Sequence, residues 1–113
     1  MQPIYAVINS GYVVSGDIDL RQQALLGVSV PSITSGDLVV QGNTDTTSAN
    51  FLRLLDIRAA GGGDLRFPTG VGSRMVMLPD NFTTPPYVRL EIATATGSLQ
   101  ADTRTLTLLT RPR

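Results

Sequence analysis

The sequence predicts an all-β domain, an antiparallel β-sandwich of about eight strands in a jelly-roll-like arrangement, and three observations carry that expectation. Short segments rich in Val, Ile, Leu, Thr and Tyr alternate with clusters of Gly, Pro, Asn, Asp and Ser at fairly regular spacing, the pattern of an antiparallel sandwich or barrel. Within Tyr87–Ala93 the alternation is strict: Val88, Leu90 and Ile92 fall on one face, and Tyr87, Arg89 and Glu91 on the other. The 113 residues fit one domain with one core, burying roughly two thirds of the unfolded chain's surface. No linker, internal repeat or low-complexity tract divides the chain. Residues 1–15 are expected to form an N-terminal arm and first strand, and residues 16–113 the sandwich itself.

In chain order, the expected strands are Ile4–Asn9, Gly16–Leu20, Leu25–Val30, Asp37–Gln41, Phe51–Arg58, Asp64–Phe67, Arg74–Leu78, Tyr87–Ala95 and Thr103–Thr110. Of these nine pieces Asp64–Phe67 is the one most readily a loop edge. Leu20–Leu26 contains good helix formers, but Val28-Ser29-Val30-Pro31 reads as a strand ending at proline, and a loop entering that strand is the more economical reading. Arg74–Leu78 is apolar on both faces after its start, as in a strand covered on both sides or one buried against another subunit. Thr103–Thr110 turns Leu106 and Leu108 inward, with Leu109 pointing outward, and residues 96–102 are expected to return the chain as a hairpin. Between strands, Asn43–Asn50, the Gly61-Gly62-Gly63 loop and the Gly70/Gly72 loop read as flexible, and Asp80–Pro86, ending in Pro85-Pro86, as stiff.

Composition narrows the chemistry. The chain has no His, Cys, Lys or Trp. General bases near neutrality, thiolate nucleophiles, Schiff-base amines and soft-metal ligands are therefore absent, so no catalytic, metal or cofactor-binding residue is expected. Nine acidic and nine basic residues are interleaved, which disfavours nucleic acid and acidic membranes as partners. The N-terminus has no basic region and no apolar stretch is long enough to span a membrane, so neither a cleaved signal nor membrane insertion is expected. The triplet Asn81-Phe82-Thr83 matches a glycosylation acceptor only as a chance occurrence.

The remaining polar patterns read as structural. Asp17, Asp19 and Arg21 share a strand face, as a solvated charge ladder or inter-strand ion pair does; a carboxylate pair for metal or acid–base work is the sharper alternative. Asn43–Thr47 has the oxygen rhythm of a calcium loop but lacks its turn glycine and its bidentate acid, Ser48 and Leu54 standing there, so a polar hairpin tip is expected. The glycine clusters sit in no βαβ unit and have no P-loop lysine. Arginine used without any lysine suits interfaces, where guanidinium makes directional pairs, although codon bias explains it equally.

Several segments resemble a family of small virion proteins of tailed bacteriophages. Gly16-Asp17-Ile18-Asp19-Leu20-Arg21 with Leu25-Leu26-Gly27-Val28-Ser29-Val30-Pro31 is similar to that family's "IDLR … LVGI-x-MP" opening. Asp37–Gly42 is similar to its "LTFQ" strand and Phe51–Asp56 to its "F-x-DLYD" strand. Leu78–Phe82 with Tyr87–Leu90 resembles its "LDP-x-x-F … Y-[IV]-[KR]-[LIV]" segment, and Arg104–Leu108 its closing "R-x-[LI]-T-L" strand. The aromatic residue usual after "MP" is missing, Ile33 standing near it, and "DLYD" is reduced to Arg53-Leu54-Leu55-Asp56.

The resemblance implies a structural protein of the phage particle, made in the host cytoplasm and carried on the capsid surface as a decoration or cement protein. Its implied partners are the major capsid protein and further copies of itself, in a homo-oligomer such as a trimer. On that expectation Met1–Ile8, including Ile4 and Tyr5, is an arm adding a strand to a neighbour. Met75 and Met77 lie on an intersubunit face, ordinary core being the plainer reading, and Arg111 and Arg113 grip a neighbour or hang in solvent. The rival is a tail-associated carbohydrate- or receptor-binding module built on Tyr5, Tyr12 or Tyr87, and a hydrolase using Asp17 and Asp19 is the third reading.

Overall fold

The computed structural model describes residues 3–33, 36–44, 51–54, 65–68, 73–79, 82–94 and 99–113. Nine strands and no helix occur among them: β1 (Ile4–Ile8), β2 (Ile18–Asp19), β3 (Gln23–Val30), β4 (Asp37–Asn43), β5 (Leu52–Arg53), β6 (Arg66–Pro68), β7 (Arg74–Met77), β8 (Tyr87–Ala93) and β9 (Arg104–Pro112). They form two antiparallel sheets. Sheet A has the order β1-β9-β3-β7; sheet B has the order β2-β8-β4-β5, with β6 also paired to β4.

The pairing is nested. First pairs with last (β1 with β9), then β2 with β8, β3 with β7, and β4 with β5 and β6, successive pairs falling alternately in sheet A and sheet B. That is the jelly-roll pattern. It corrects the hairpin expected between Tyr87–Ala95 and Thr103–Thr110. β8 has β2 and β4 on its two edges and β9 has β1 and β3, so the chain crosses from one sheet to the other between them. The strand count among the described residues is nine, because Arg66–Pro68 is a real strand in register with Asp37–Val39. The glycine clusters, most of Asn43–Asn50 and the second half of Phe51–Arg58 lie outside the described residues.

The core forms where the inward positions of the two sheets meet. Ile8, Val28 and Leu106 of sheet A and Leu38, Val40, Val88, Leu90 and Ile92 of sheet B are fully buried, each side chain contributing roughly 1.5–3 kcal/mol by leaving water. The alternation of Tyr87–Ala93 and of Thr103–Thr110 is thus realised as read. The helix formers of Leu20–Leu26 enter β3 directly. A bulge between Leu25 and Gly27 breaks the ladder to β9, and the Leu25 N–H beside it donates to Thr84 Oγ1 at 2.9 Å in a buried bond.

Two glycines are required by geometry. Gly11 has φ +84° in the turn closed by Tyr12 N–H donating to Asn9 C=O at 3.0 Å, where positive φ at the third position is a type II signature. That turn docks on the β8–β9 connection through Gly11 N–H to Gln100 C=O and Gln100 N–H to Tyr12 C=O. Gly42 faces Pro85 so closely that a Cβ would lie 2.6 Å from the proline ring, so the Phe82–Pro86 segment can seal that end of the sandwich.

Of the Met1–Ile8 segment expected to add a strand to a neighbour, Ile4–Ile8 lies in the chain's own sheet A as β1. β1 pairs along its length with β9, from Ile4 opposite Leu108 to Ile8 opposite Arg104, and Ala6 and Ile8 are in the core. With both residues buried, detaching the strand would open one side of the sandwich.

Candidate functional site

The outer faces of the two sheets differ in kind. On sheet B, charge is paired nearly everywhere. Arg89 reaches Asp17 at 2.6 Å, Arg21 reaches Asp19 at 2.9 Å and Arg66 lies 3.5 Å from Asp37. Arg53 Nε donates to Glu91 Oε1 at 2.9 Å while its Nη2 bonds Oε2, and Gln41 Nε2 is the carboxylate's third donor, reaching Oε1 at 2.9 Å. Guanidinium groups also stack, Arg89 over Phe51 and Arg21 over Tyr87. Asp17 and Asp19 therefore serve two separate ion pairs, the bland reading of their spacing, and their carboxylates are not joined in a working pair.

Burial alone would raise the Glu91 carboxyl. The hydrogen bonds from Arg53 and Gln41 and the charges of Arg53 and Arg66 outweigh it and hold the group below the ordinary glutamate range. Asp19 is held low chiefly by the Arg21 side-chain hydrogen bond and then by the Arg21 backbone N–H.

Sheet A presents the opposite surface. Its registers line up Tyr5, Thr107, Ser29 and Met75 in one row, and Leu109, Gly27 and Met77 in the next, with Val7 and Thr105 beside them. Tyr5 is 57% exposed, Val7 41%, Leu109 43%, Met75 56% and Met77 58%. No charged side chain stands in these rows. The face is wholly hydroxyl or apolar, and its five large exposed hydrophobic side chains come from three strands.

Two of the expected partner residues, Met75 and Met77, are thus neither core nor covered. β7 is an edge strand that buries Val76 and turns both methionines outward, and Tyr5 joins them on the same face. Gly27 makes room for the arrangement: a Cβ there would meet Val76 O at 2.8 Å and Met77 Sδ at 2.9 Å. Ile4 lies opposite Leu108, partly buried against the core. Val7 and Leu109 are the members of the face that reasoning on separate segments did not select.

The C-terminal arginines also differ from expectation. Arg111 lies within β9, opposite Ala24, at the margin of the face beside Met77 and Phe82. Arg113 does not hang free; it is engaged within its own chain. Its Nε donates to Leu20 C=O at 2.8 Å and its Nη2 to Thr84 C=O at 2.8 Å, and its backbone N–H donates to Gln22 C=O. It pins the chain end across the β2–β3 connection.

The structure brings the tyrosines of the carbohydrate-binding rival to separate places: Tyr5 on sheet A, Tyr87 on sheet B beneath Arg21, and Tyr12 in the loop after β1. They build no common stacking platform. A groove of about 850 Å³ runs between β4, β5 and the Thr83–Pro86 segment, but among the described residues its lining is mostly apolar and its one charged group, Arg53, is committed to Glu91. Among the described residues no cluster of three or more acidic side chains is placed to hold a metal ion. Comparison with protein-family models, curated proteins and solved structures finds no match for this chain.

Proposed function

We propose that this chain is a structural protein of a phage particle, a decoration or cement protein that docks on the major capsid protein at the capsid surface as a homo-oligomer. The single observation that supports it best is the outer face of sheet A, a charge-free surface carrying Tyr5, Val7, Met75, Met77 and Leu109 in a domain whose other face is laced with ion pairs. Methionine and tyrosine suit such a contact, the one adaptable and the other offering large area at low entropic cost. The jelly roll itself does not discriminate, since capsid proteins and lectins both use it; the choice rests on the surface and on the sequence resemblance.

Size argues for many copies acting together. Four strands about 4.8 Å apart and some seven residues long give a face of roughly 450 Å². A standard stable interface covers about 800 Å² per partner, so one such contact is weak. A homo-oligomer engaging several capsid subunits turns weak contacts into firm retention through effective concentration.

Copy number in purified particles, measured by quantitative mass spectrometry against the major capsid protein, tests the reading. A stoichiometry comparable to that of the capsid protein is expected, with Met77→Glu particles losing the protein on dilution. A handful of copies per particle, or none, overturns it.

A further inference from the structure

Natural sheets protect their edges with short strands, charge, proline or bulges, because an open edge is a row of unpaired donors and acceptors. Three of the edges here obey. β2 and β5 are two residues long and carry Asp19 and Arg53, and β7 opens on the exposed Arg74. β1 does not. Ile4-Tyr5-Ala6-Val7-Ile8 is five residues of β-branched, aromatic or small side chains with no charge, glycine, proline or bulge, and β9 is its one strand partner among the described residues. Left open in water, such a strand is an aggregation site.

We propose that the free edge of β1 pairs with β1 of a second copy, antiparallel, about a twofold axis through Ala6. β1 stays in its own sheet, and what it offers is its other side. The strand brings no charge to recognise a charged partner, whereas its own sequence is self-complementary. Centred on Ala6, the register engages all five residues, placing Tyr5 opposite the other copy's Val7, Ile4 opposite Ile8 and Ala6 opposite Ala6.

Tyr5 and Val7 both point outward, so the pairing makes two cross-strand aromatic–β-branched contacts on the solvent side. Either parity of the ladder adds about four to six backbone hydrogen bonds. A twofold closes the edge. Head-to-tail pairing of β1 with β7 would leave an open edge at every step and grow a filament. The paired copies share one eight-stranded sheet, and on the docking reading above they present about 900 Å² of continuous face, which reaches the standard size for a stable contact. The elementary unit of the oligomer is then a dimer rather than the trimer implied by the resemblance.

Sedimentation velocity of the full chain over a concentration series tests the pairing without any capsid, so its outcome is separate from that of the particle measurement. A reversible dimer is expected. Tyr5→Lys/Val7→Lys sets two lysines opposite each other twice and should weaken the dimer by more than about tenfold. Tyr5→Lys/Val7→Glu sets opposite charges face to face and should restore association. Both positions are exposed, and far-UV circular dichroism confirms that each variant keeps the fold. A monomer at every concentration, a trimer, or an oligomer that the two-lysine variant leaves intact overturns the proposal.

Discussion

Glu91 of β8 and Arg53 of β5 are clasped across sheet B, two guanidinium nitrogens on two carboxylate oxygens, with the β4 strand lying between them. β5 has only two ladder pairings, so this clasp is a principal tie holding it to the sheet. Its Glu91 side chain is 8% exposed and its Arg53 side chain 37%. Glu91→Gln should therefore cost about 2 kcal/mol, less than a wholly buried pair because water can reach the abandoned arginine. Urea unfolding of the two proteins at neutral pH measures the difference.

The same pair sets an acid limit. Glu91 titrates below its ordinary value of 4.5 in the folded protein, so its contribution is complete above that value and is lost as pH falls through the lowered folded pKa. Urea midpoints followed downward from pH 6 should fall more steeply for the parent than for Glu91→Gln below about pH 4.5. Parallel curves would show that the clasp does not carry the acid sensitivity. Asp19 is shifted in the same direction but lies at the surface, where salt screens its pair with Arg21.

Gly27 is held by its neighbours rather than by its backbone angle. A methyl group there would press on Val76 O, which belongs to the adjoining strand and cannot rotate away, as well as on the movable Met77 sulfur. Gly27→Ala should destabilise by roughly 1–3 kcal/mol. Adding Met77→Ala relieves only the side-chain clash, so thermal melts of the double variant should recover part of the loss and no more.

Thr84 supplies the acceptor for the buried Leu25 N–H beside the β3 bulge. Thr84→Val keeps the shape and strands the buried Leu25 N–H, a cost of about 1–3 kcal/mol, whereas Thr84→Ser should retain most of the stability. Amide exchange at Leu25, faster in the valine variant and near parental in the serine variant, isolates this bond from general loosening.

Period-2 alternation made the strands and their inward residues legible: Val88, Leu90, Ile92, Leu106 and Leu108 are all buried. Alternation says which side of a strand faces the core and nothing about which strand lies beside it. The supposed β8–β9 hairpin was misread for that reason. Glu91 occupies an outward position and is buried nonetheless, because its partner arrives from 38 residues away. Arg113 satisfies backbone carbonyls, which leave no trace in the order of side chains. Tyr5, Met75 and Met77 stood out singly. That they share one face depends on β9 and β3 being interposed between β1 and β7, a fact of topology.

The nested pairing also bears on when this domain can fold. β9 occupies the middle of sheet A, with β1 on one side and β3 on the other. A nascent chain still attached to its ribosome, with β9 inside the exit tunnel, has two separated halves of that sheet and nothing to join them, so β1 and β3 wait through synthesis of the rest. Folding consequently waits for β9 to emerge and is slow for the domain's size, since nearly every pairing closes a long loop before it is repaid. Until then the uncharged β1 segment is exposed, which is the interval in which a chaperone has the most to protect.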